Sequence, residues 1–345
     1  MSTNLISVKS YLGKYYPELL YSAAQDKYKD TSLDAIFEQR FNIQANKVQM
    51  VVDPAMPGLS LIVLGNEIHI SKDLYDHPNV IVTNSLEGNQ LVNPRSLYNP
   101  ETFSTIAYLV CQNHSTIQIV GEIDEPIYVR YKSEFETFYN SVMIFDVSND
   151  IEVEIIEEVE SCCALNSVVN YLLHPGADLK LTTFYQNKVS AISCFYRNII
   201  TQDGANFNHI VLGKGSSNIV DENKIFPYES STSEFLGVIH SEGKNFHSIL
   251  TVEPQSPKFK IDVDYRGVLS GKSNVTFFPT IIGQITTEKE ATISVTNVVL
   301  EELPVGDAER EVKNYTSDIV GRAILERMVG VKRFYDNKTK FMHFP

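Results

Sequence analysis

The stretch FLGVIHSEGKNFHSILTVEPQSPKFKIDVDYRGVLSGKSNVTFFPTIIG, Phe235–Gly283, decides the fold. Apolar and polar residues alternate in it, as at Ile261, Val263 and Tyr265. A two-residue period belongs to strands with one buried face. Polar turns at Ser241–Lys244, Glu253–Lys258 and Ser270–Ser273 cut it into short pieces. Helical spacing is absent from it. The stretch reads as a ladder of short strands.

Upstream the same signal continues. Strand-like runs occur at Thr116–Val120, Ile127–Tyr131, Val142–Val147, Ile151–Glu157, Val168–Leu173, Leu179–Phe184, Ile192–Ile200, Phe207–Val211, Ile219–Ile225 and Phe235–His240. Turn signals fall at Ser148-Asn149-Asp150, Pro175-Gly176, Asp203-Gly204, Glu242-Gly243 and Ser270-Gly271. Several gaps between them are close to ~28 residues, and others are near-doubles once a missing glycine is allowed. A period in the 20–50 residue range marks a solenoid. An ordinary β-sandwich competes, but so many strands without a long helical crossover favour stacked coils.

The flanks differ. Residues 5–40 carry helical spacing, and Thr31-Ser32-Leu33-Asp34 resembles an N-cap before Asp34–Phe41. Val48–Val52 and Leu59–Leu64 are strand-like, and LSLIVLGNEIHISKDL reads as a hairpin around Gly65-Asn66. Pro100 to Cys111 predicts a helix with Asn99 as cap. Ser317–Met328 places Ile319, Val320, Ile324, Leu325 and Met328 on one face, with Gly330 just past the end. The expected organisation is a helical region over 1–44, a mixed lead-in over 45–114, a β-helix core over 115–301, and a helical region with a tail over 302–345.

A formal net charge of −14 argues against a general nucleic-acid binder, which needs a basic stripe. MSTNLISVKSYLGKYYPELL lacks the charged and apolar blocks of a secretory leader. No apolar run reaches the ~20 residues of a membrane helix. The four cysteines, Cys111, Cys162, Cys163 and Cys194, form no CxxC pair. These features predict a reduced, cytoplasmic protein that engages neither nucleic acid nor membrane. The Asn-x-Ser/Thr sequons at Asn113, Asn274, Asn314 and Asn337 then carry little meaning.

Catalytic signals are weak. Placed in a strand, Cys162 and Cys163 would face opposite ways and could not share a metal. Cys194 sits in an apolar strand and Cys111 at the end of an apolar helix, where thiols pack as small hydrophobes. Glu152, Glu154, Glu157, Glu158 and Glu160 form an acidic stripe expected to be a solvated face. Gly213-Lys214-Gly215-Ser216-Ser217 lacks the spacing of a phosphate loop. No Ser-His-Asp set is recognisable from spacing. A β-helical carbohydrate enzyme needs paired carboxylates in a groove, and none can be named. The expectation is a protein that is not an enzyme.

Five segments in order resemble the SufB/SufD family of the SUF iron–sulfur cluster assembly machinery. They are VDYRGVLSGKSNVTFFPTIIG (263–283), GVIHSEGKNFHSILTVEPQSPKFKID (237–262), SVVNYLLHPGADLKLTTFYQN (167–187), VMIFDVSNDIEVEIIEEVES (142–161), and the lead-in LSLIVLGNEIHISKDL with NPETFSTIAYLVCQNHSTIQIVGEIDEPIYVRY (99–131). The SufD side fits better. The resemblance implies a mainly β protein, a right-handed parallel β-helix with short helical ends. It implies a scaffold subunit that works through protein contacts beside a SufB-like chain and a SufC-like ATPase, with a cluster held only transiently in the complex. His247 stands where the family has histidine, and His240 lies in the same turn. With Cys194 they are the candidate metal ligands. The late Cys/His segment of the family has no counterpart, since no cysteine follows Cys194 and no histidine lies between His247 and His343. The other reading is a structural protein of a virion or other large complex that self-associates or meets other structural chains and reuses the β-helix without a cluster role.

Overall fold

A computed structural model describes residues 49–84 and 115–282, apart from 66, 134–136, 187–190, 216–217, 243–244 and 271–273. It also describes strand segments 6–7, 40–43 and 290–299 and residues 10, 14, 107 and 111. Two parallel ladders run through it. The first stacks β9 (Thr137–Val147), β11 (Ala164–Leu173), β13 (Ile192–Thr201), β15 (Asn218–Pro227), β17 (Asn245–Val252) and β19 (Asn274–Ile281). The second stacks β8 (Ile127–Ser133), β10 (Glu152–Ser161), β12 (Asp178–Tyr185), β14 (Asn206–Gly215), β16 (Ser231–Glu242), β18 (Phe259–Ser270) and β20 (Glu290–Val299). The chain alternates between the ladders, so each coil gives one strand to each. Paired residues lie 26 to 30 positions apart, the period expected from the turns. The result is a parallel β-solenoid of about five turns. Right-handed winding is the hand that strand twist favours for such crossovers.

The tight turn between the ladders explains the repeat. Asp150, Gly176, Gly204 and Ser230 all have positive φ, between 57° and 73°. Each donates its N–H to the carbonyl of a residue one coil on: Asp150 to Pro175, Gly176 to Asp203, Gly204 to Glu229 and Ser230 to Lys258. The left-handed positions therefore form a column. Glycine fills two of them, and Asp150 and Ser230 are the places where the glycine signal is missing.

Alternation sets the interior. Val153, Ile155 and Val159 of β10 join the central apolar cluster with Leu179 and Leu181 of β12, Phe195 and Ile199 of β13 and Ile219 and Ile225 of β15. Like side chains meet coil above coil, as in the Phe145–Tyr171 ring stack and the Ser141–Ser167 and Ser133–Ser161 hydroxyl pairs at 2.7 and 2.8 Å. Outward, amide ladders run from Asn166 to Asn140 (2.8 Å) and from Asn198 to Asn170 (2.9 Å). The outer face of the second ladder carries a buried apolar patch: Ile156, Phe184, Ile210, Leu212, Leu236 and Val238.

The lead-in joins the same sheets. β4 (Ser60–Leu64) and β5 (Glu67–Ser71) form the expected hairpin, with Gly65 at φ 58°. β4 pairs with β8, and β3 (Gln49–Asp53) lies parallel to β5. Ser71 caps the short helix α1 (Lys72–Tyr75) by accepting from the Leu74 N–H at 3.2 Å. β6 (Val80–Thr83) and β7 (Ser115–Ile119) are antiparallel, and β7 starts the first ladder beside β9. Ala107 is helical, and the Cys111 N–H donates to its carbonyl at 2.9 Å, as the predicted helix requires.

The helical reading of 5–40 needs a correction at its ends. Ser10 and Lys14 are helical, but Ile6–Ser7 is strand β1 and pairs antiparallel with β2 (Arg40–Ile43). Asn42 and Ile43 then continue onto β9. A parallel neighbour supplies hydrogen bonds that local helical spacing does not outweigh. The remaining predicted N-terminal helix and the whole predicted helix at 317–328 lie outside the described residues.

Candidate functional site

The sequence nominated thiols and imidazoles. Cys194 and His247 both lie on the outward face of the first ladder, in one column: Cys194 pairs with Val220 and Val220 with His247. With strands about 4.8 Å apart, two rungs separate them, and the buried Val220 stands between. Burial pushes the Cys194 thiol up, and the neighbouring Glu222 carboxylate adds to it. His247 is buried, which lowers its pKa below the usual value. Its Nδ1 lies 2.5 Å from Thr276 Oγ1. His240 is in β16, beside Val268, and its side chain lies outside the described residues.

Cys111 is buried, and burial pushes its thiol up to about 12. Cys162 and Cys163 are half-buried and sit in the turn between β10 and β11. Ser133 Oγ fixes that turn by accepting from both N–H groups, at 3.1 and 3.3 Å. Among the described residues, no three His, Cys, Asp or Glu side chains gather to hold a metal ion. Gly213 ends in a strand; a Cβ there would sit 3.0 Å from Ile239 Cδ1, so its smallness serves packing.

Among the described residues, a concentration of charge lies inside the solenoid. The acidic stripe was expected to be solvated as a whole. Glu152, Glu154, Glu158 and Glu160 do face outward, but Glu158 is buried against Arg130 at 3.1 Å. Glu157 shares its parity with Val153, Ile155 and Val159 and therefore points inward, fully buried. Arg197, between Phe195 and Ile199, and Asp221, between Ile219 and Ile225, are placed inward by the same alternation and are also fully enclosed.

These groups are mutually satisfied. Arg197 donates to Glu157 Oε2 from Nη2 at 2.6 Å and from Nε at 3.2 Å, and its Nη1 donates to Asp221 Oδ1. Tyr171 donates to Glu157 Oε1 at 2.5 Å, and Thr183 to Glu157 Oε2 at 2.8 Å. Asp221 accepts from Tyr185 at 2.6 Å and from Asn223 Nδ2 at 3.0 Å. His209 Nε2 lies 3.0 Å from Thr183 Oγ1. Burial holds the Tyr131, Tyr171 and Tyr185 hydroxyls well above the usual phenol range, and the nearby carboxylates add to it. Burial opposes the Arg197 charge, but Glu157 heads the groups that raise its pKa well above the ordinary guanidinium value. The cluster holds charges of both signs in direct hydrogen-bonded contact inside the solenoid.

Sequence reasoning missed Glu157, Arg197 and Asp221 as a set. The signal was present: Glu157 and Arg197 each have apolar, inward neighbours two residues away on both sides, and Asp221 has Ile219 two residues before it.

Compared with known proteins, residues 130–310 match the family described as SUF system FeS cluster assembly, SufBD core domain. No curated protein matches. The match covers more than half of the chain and coincides with the coils from β8 to β20. The chain belongs to the SufBD core family of the SUF iron–sulfur cluster assembly system.

Proposed function

We propose that this chain is a SufD-like scaffold subunit of an iron–sulfur cluster assembly complex, acting through protein contacts and not through catalysis of its own. Family membership over residues 130–310 is the observation that carries the reading. A solenoid supports it physically. Its terminal rungs offer strand edges, and its flanks are long flat sheets, both suited to pairing with a similar chain. Among the described residues the ladders end on β19 and β20. A SufB-like subunit is the partner this geometry suits, with a SufC-like ATPase completing the assembly. The cluster is cargo of the complex. Among the described residues no helix is long and apolar enough to cross a membrane, which is compatible with work in the cytoplasm.

The test is affinity capture of the tagged full-length chain from its native cells under anaerobic conditions, followed by mass spectrometry. Recovery of a SufB-like and a SufC-like chain is the expected result. Recovery of neither, with structural proteins of a large particle in their place, overturns the cluster-assembly role.

A further inference from the structure

A sheet face on the outside of a solenoid meets water unless another part of the molecule covers it. The outer face of the second ladder is divided in this respect. Glu154, Lys180, Asn208 and Glu234 form one column across β10, β12, β14 and β16 and are half-buried. The next two columns of the same face are enclosed. One holds Ile156, Thr182, Ile210 and Leu236, the other Phe184, Leu212 and Val238. Ile210 is 1% exposed and Leu236 4%. Thr182, between Ile156 and Ile210, is fully buried and its hydroxyl has no hydrogen-bond partner, so apolar atoms and not water lie over it. Among the described elements, the neighbours of these four strands are rungs of their own ladder and, across the interior, the first ladder. None of them lies over the outer face.

These exposures are those of a single chain, so the cover belongs to this chain. Three segments that lie largely outside the described residues are long enough. Residues 8–39 run between β1 and β2, and residues 85–114 between β6 and β7. All four of those strands belong to the sheet of the first ladder, so both segments leave that sheet and return to it. The outer face there has its own buried side chains to cover, among them Val142, Val168 and Cys194. Of the three segments, only residues 300–345 leave from the second ladder, at its edge strand β20.

The sequence of that segment supplies a matching surface. In the predicted helix Ser317–Met328, Val320, Ile324 and Met328 recur every four residues with Leu325 beside them, and Arg322 and Glu326 fall on the opposite side. A helix over 317–328 is about 18 Å long. The patch crosses the rungs from β10 to β16, about 14 Å at the usual strand spacing. Residues 300–316 span on the order of 50 Å when extended. The distance from β20 back to β10 is about 24 Å, so the helix reaches the whole patch.

We infer that the outer apolar patch of the second ladder is the seat of this chain's own segment 317–328, with the apolar face of the helix laid across Ile156, Phe184, Ile210, Leu212, Leu236 and Val238. Seated there, the segment clamps the coils from β10 to β16 together from outside.

The experiment is Lys180→p-benzoylphenylalanine in the full-length chain, which places a photoreactive group in the half-buried column beside Thr182 and Phe184. Irradiation is followed by peptide mapping, with heavy and light isotope-labelled chains mixed to separate adducts within a chain from those between copies. The expected result is an adduct within one chain onto residues 313–332. Adding Ile324→Asp and Leu325→Asp should lower its yield at least about tenfold, because each carboxylate must leave water to dock. Ile324→Asp alone serves if the pair does not fold. An adduct onto 8–39 or 85–114, an adduct between copies, or none outside the ladders overturns the inference, as does a yield that the aspartates leave unchanged.

Discussion

Replacing Arg197 with methionine is the sharpest structural perturbation available. It removes one cation that serves two fully buried carboxylates and donates to Glu157, Asp221, Thr183 and Tyr185. The apolar stem keeps most of the volume, so the cavity contribution is small. What remains is Glu157 and Asp221 facing each other in a dry interior, each keeping only its neutral donors, Tyr171 and Thr183 on one side and Tyr185 and Asn223 on the other. Breaking a buried ion pair from one side costs about 3–5 kcal/mol. For a region of this size 1 kcal/mol moves the midpoint by about 2–4 °C, so Tm should fall by roughly 10 °C. Because the cluster ties β10, β13 and β15 across successive coils, the urea transition should also broaden. The control is Glu157→Met, Arg197→Met and Asp221→Leu together, which removes the three ions as a set, leaves only neutral donors without their acceptors, and should be more stable than Arg197→Met alone. Urea and thermal unfolding of both variants read the difference. A cost below about 1 kcal/mol for Arg197→Met, or a triple variant as unstable as the single, would refute the reasoning.

Other consequences are equally specific. Gly237→Ala places a Cβ 2.0 Å from Tyr265 Cδ1 and must push that ring off its stack with Phe277; a loss of about 1–3 kcal/mol in urea unfolding is expected, and an unchanged midpoint contradicts the packing. Ser230→Gly relieves a left-handed backbone at φ 58° and should gain up to about 1 kcal/mol, whereas Gly176→Ala, at φ 73° and with Asp150 Oδ1 2.1 Å from the new Cβ, should lose stability. Native thiol titration at pH 8 should find Cys111 and Cys194 inert, because burial raises both, and should label the half-buried Cys162; fast labelling of Cys194 contradicts its placement. His247 contributes the opposite pH sign to a raised group. Its pKa is lowered on folding, so its share of stability is present above about 6.5 and is lost as pH falls; His247→Gln should flatten that acid limb of the stability curve.

Much of the fold was legible because a solenoid repeats its physics. Ser148-Asn149-Asp150, Pro175-Gly176 and Asp203-Gly204 marked a column of left-handed turns, and Ser230 occupies the same column without a glycine or any other turn signal to announce it. Strand positions in Phe235–Gly283 followed from alternation at Ile261, Val263 and Tyr265, and β17, β18 and β19 lie between the expected turns. Boundaries were too short because polar residues such as Asn140, Ser141 and Asn166 belong to buried strands, where stacked amides and hydroxyls replace apolar contact. The Ile6–Ser7 and Arg40–Ile43 strands were unreadable, since their reason for being strands is a partner elsewhere in the chain. The interior ions were hidden by treating acids as solvated. Glu157 looked like its neighbours Glu154 and Glu160, and only the parity set by Val153, Ile155 and Val159 distinguishes it. The pairing with Arg197, 40 residues on, exists only once the coils are stacked.

The central claim is that this chain contributes contacts, and not ligands of its own, to iron–sulfur cluster assembly. Anaerobic reconstitution with iron and sulfide, read by visible absorbance and by iron and acid-labile sulfide content, tests it most directly when run on the chain alone and on its complex with the SufB-like and SufC-like subunits. The account predicts a cluster on the complex and none in stoichiometric amount on the isolated chain. A stable stoichiometric cluster on the isolated chain, lost in Cys194→Ser or His247→Gln, would contradict it.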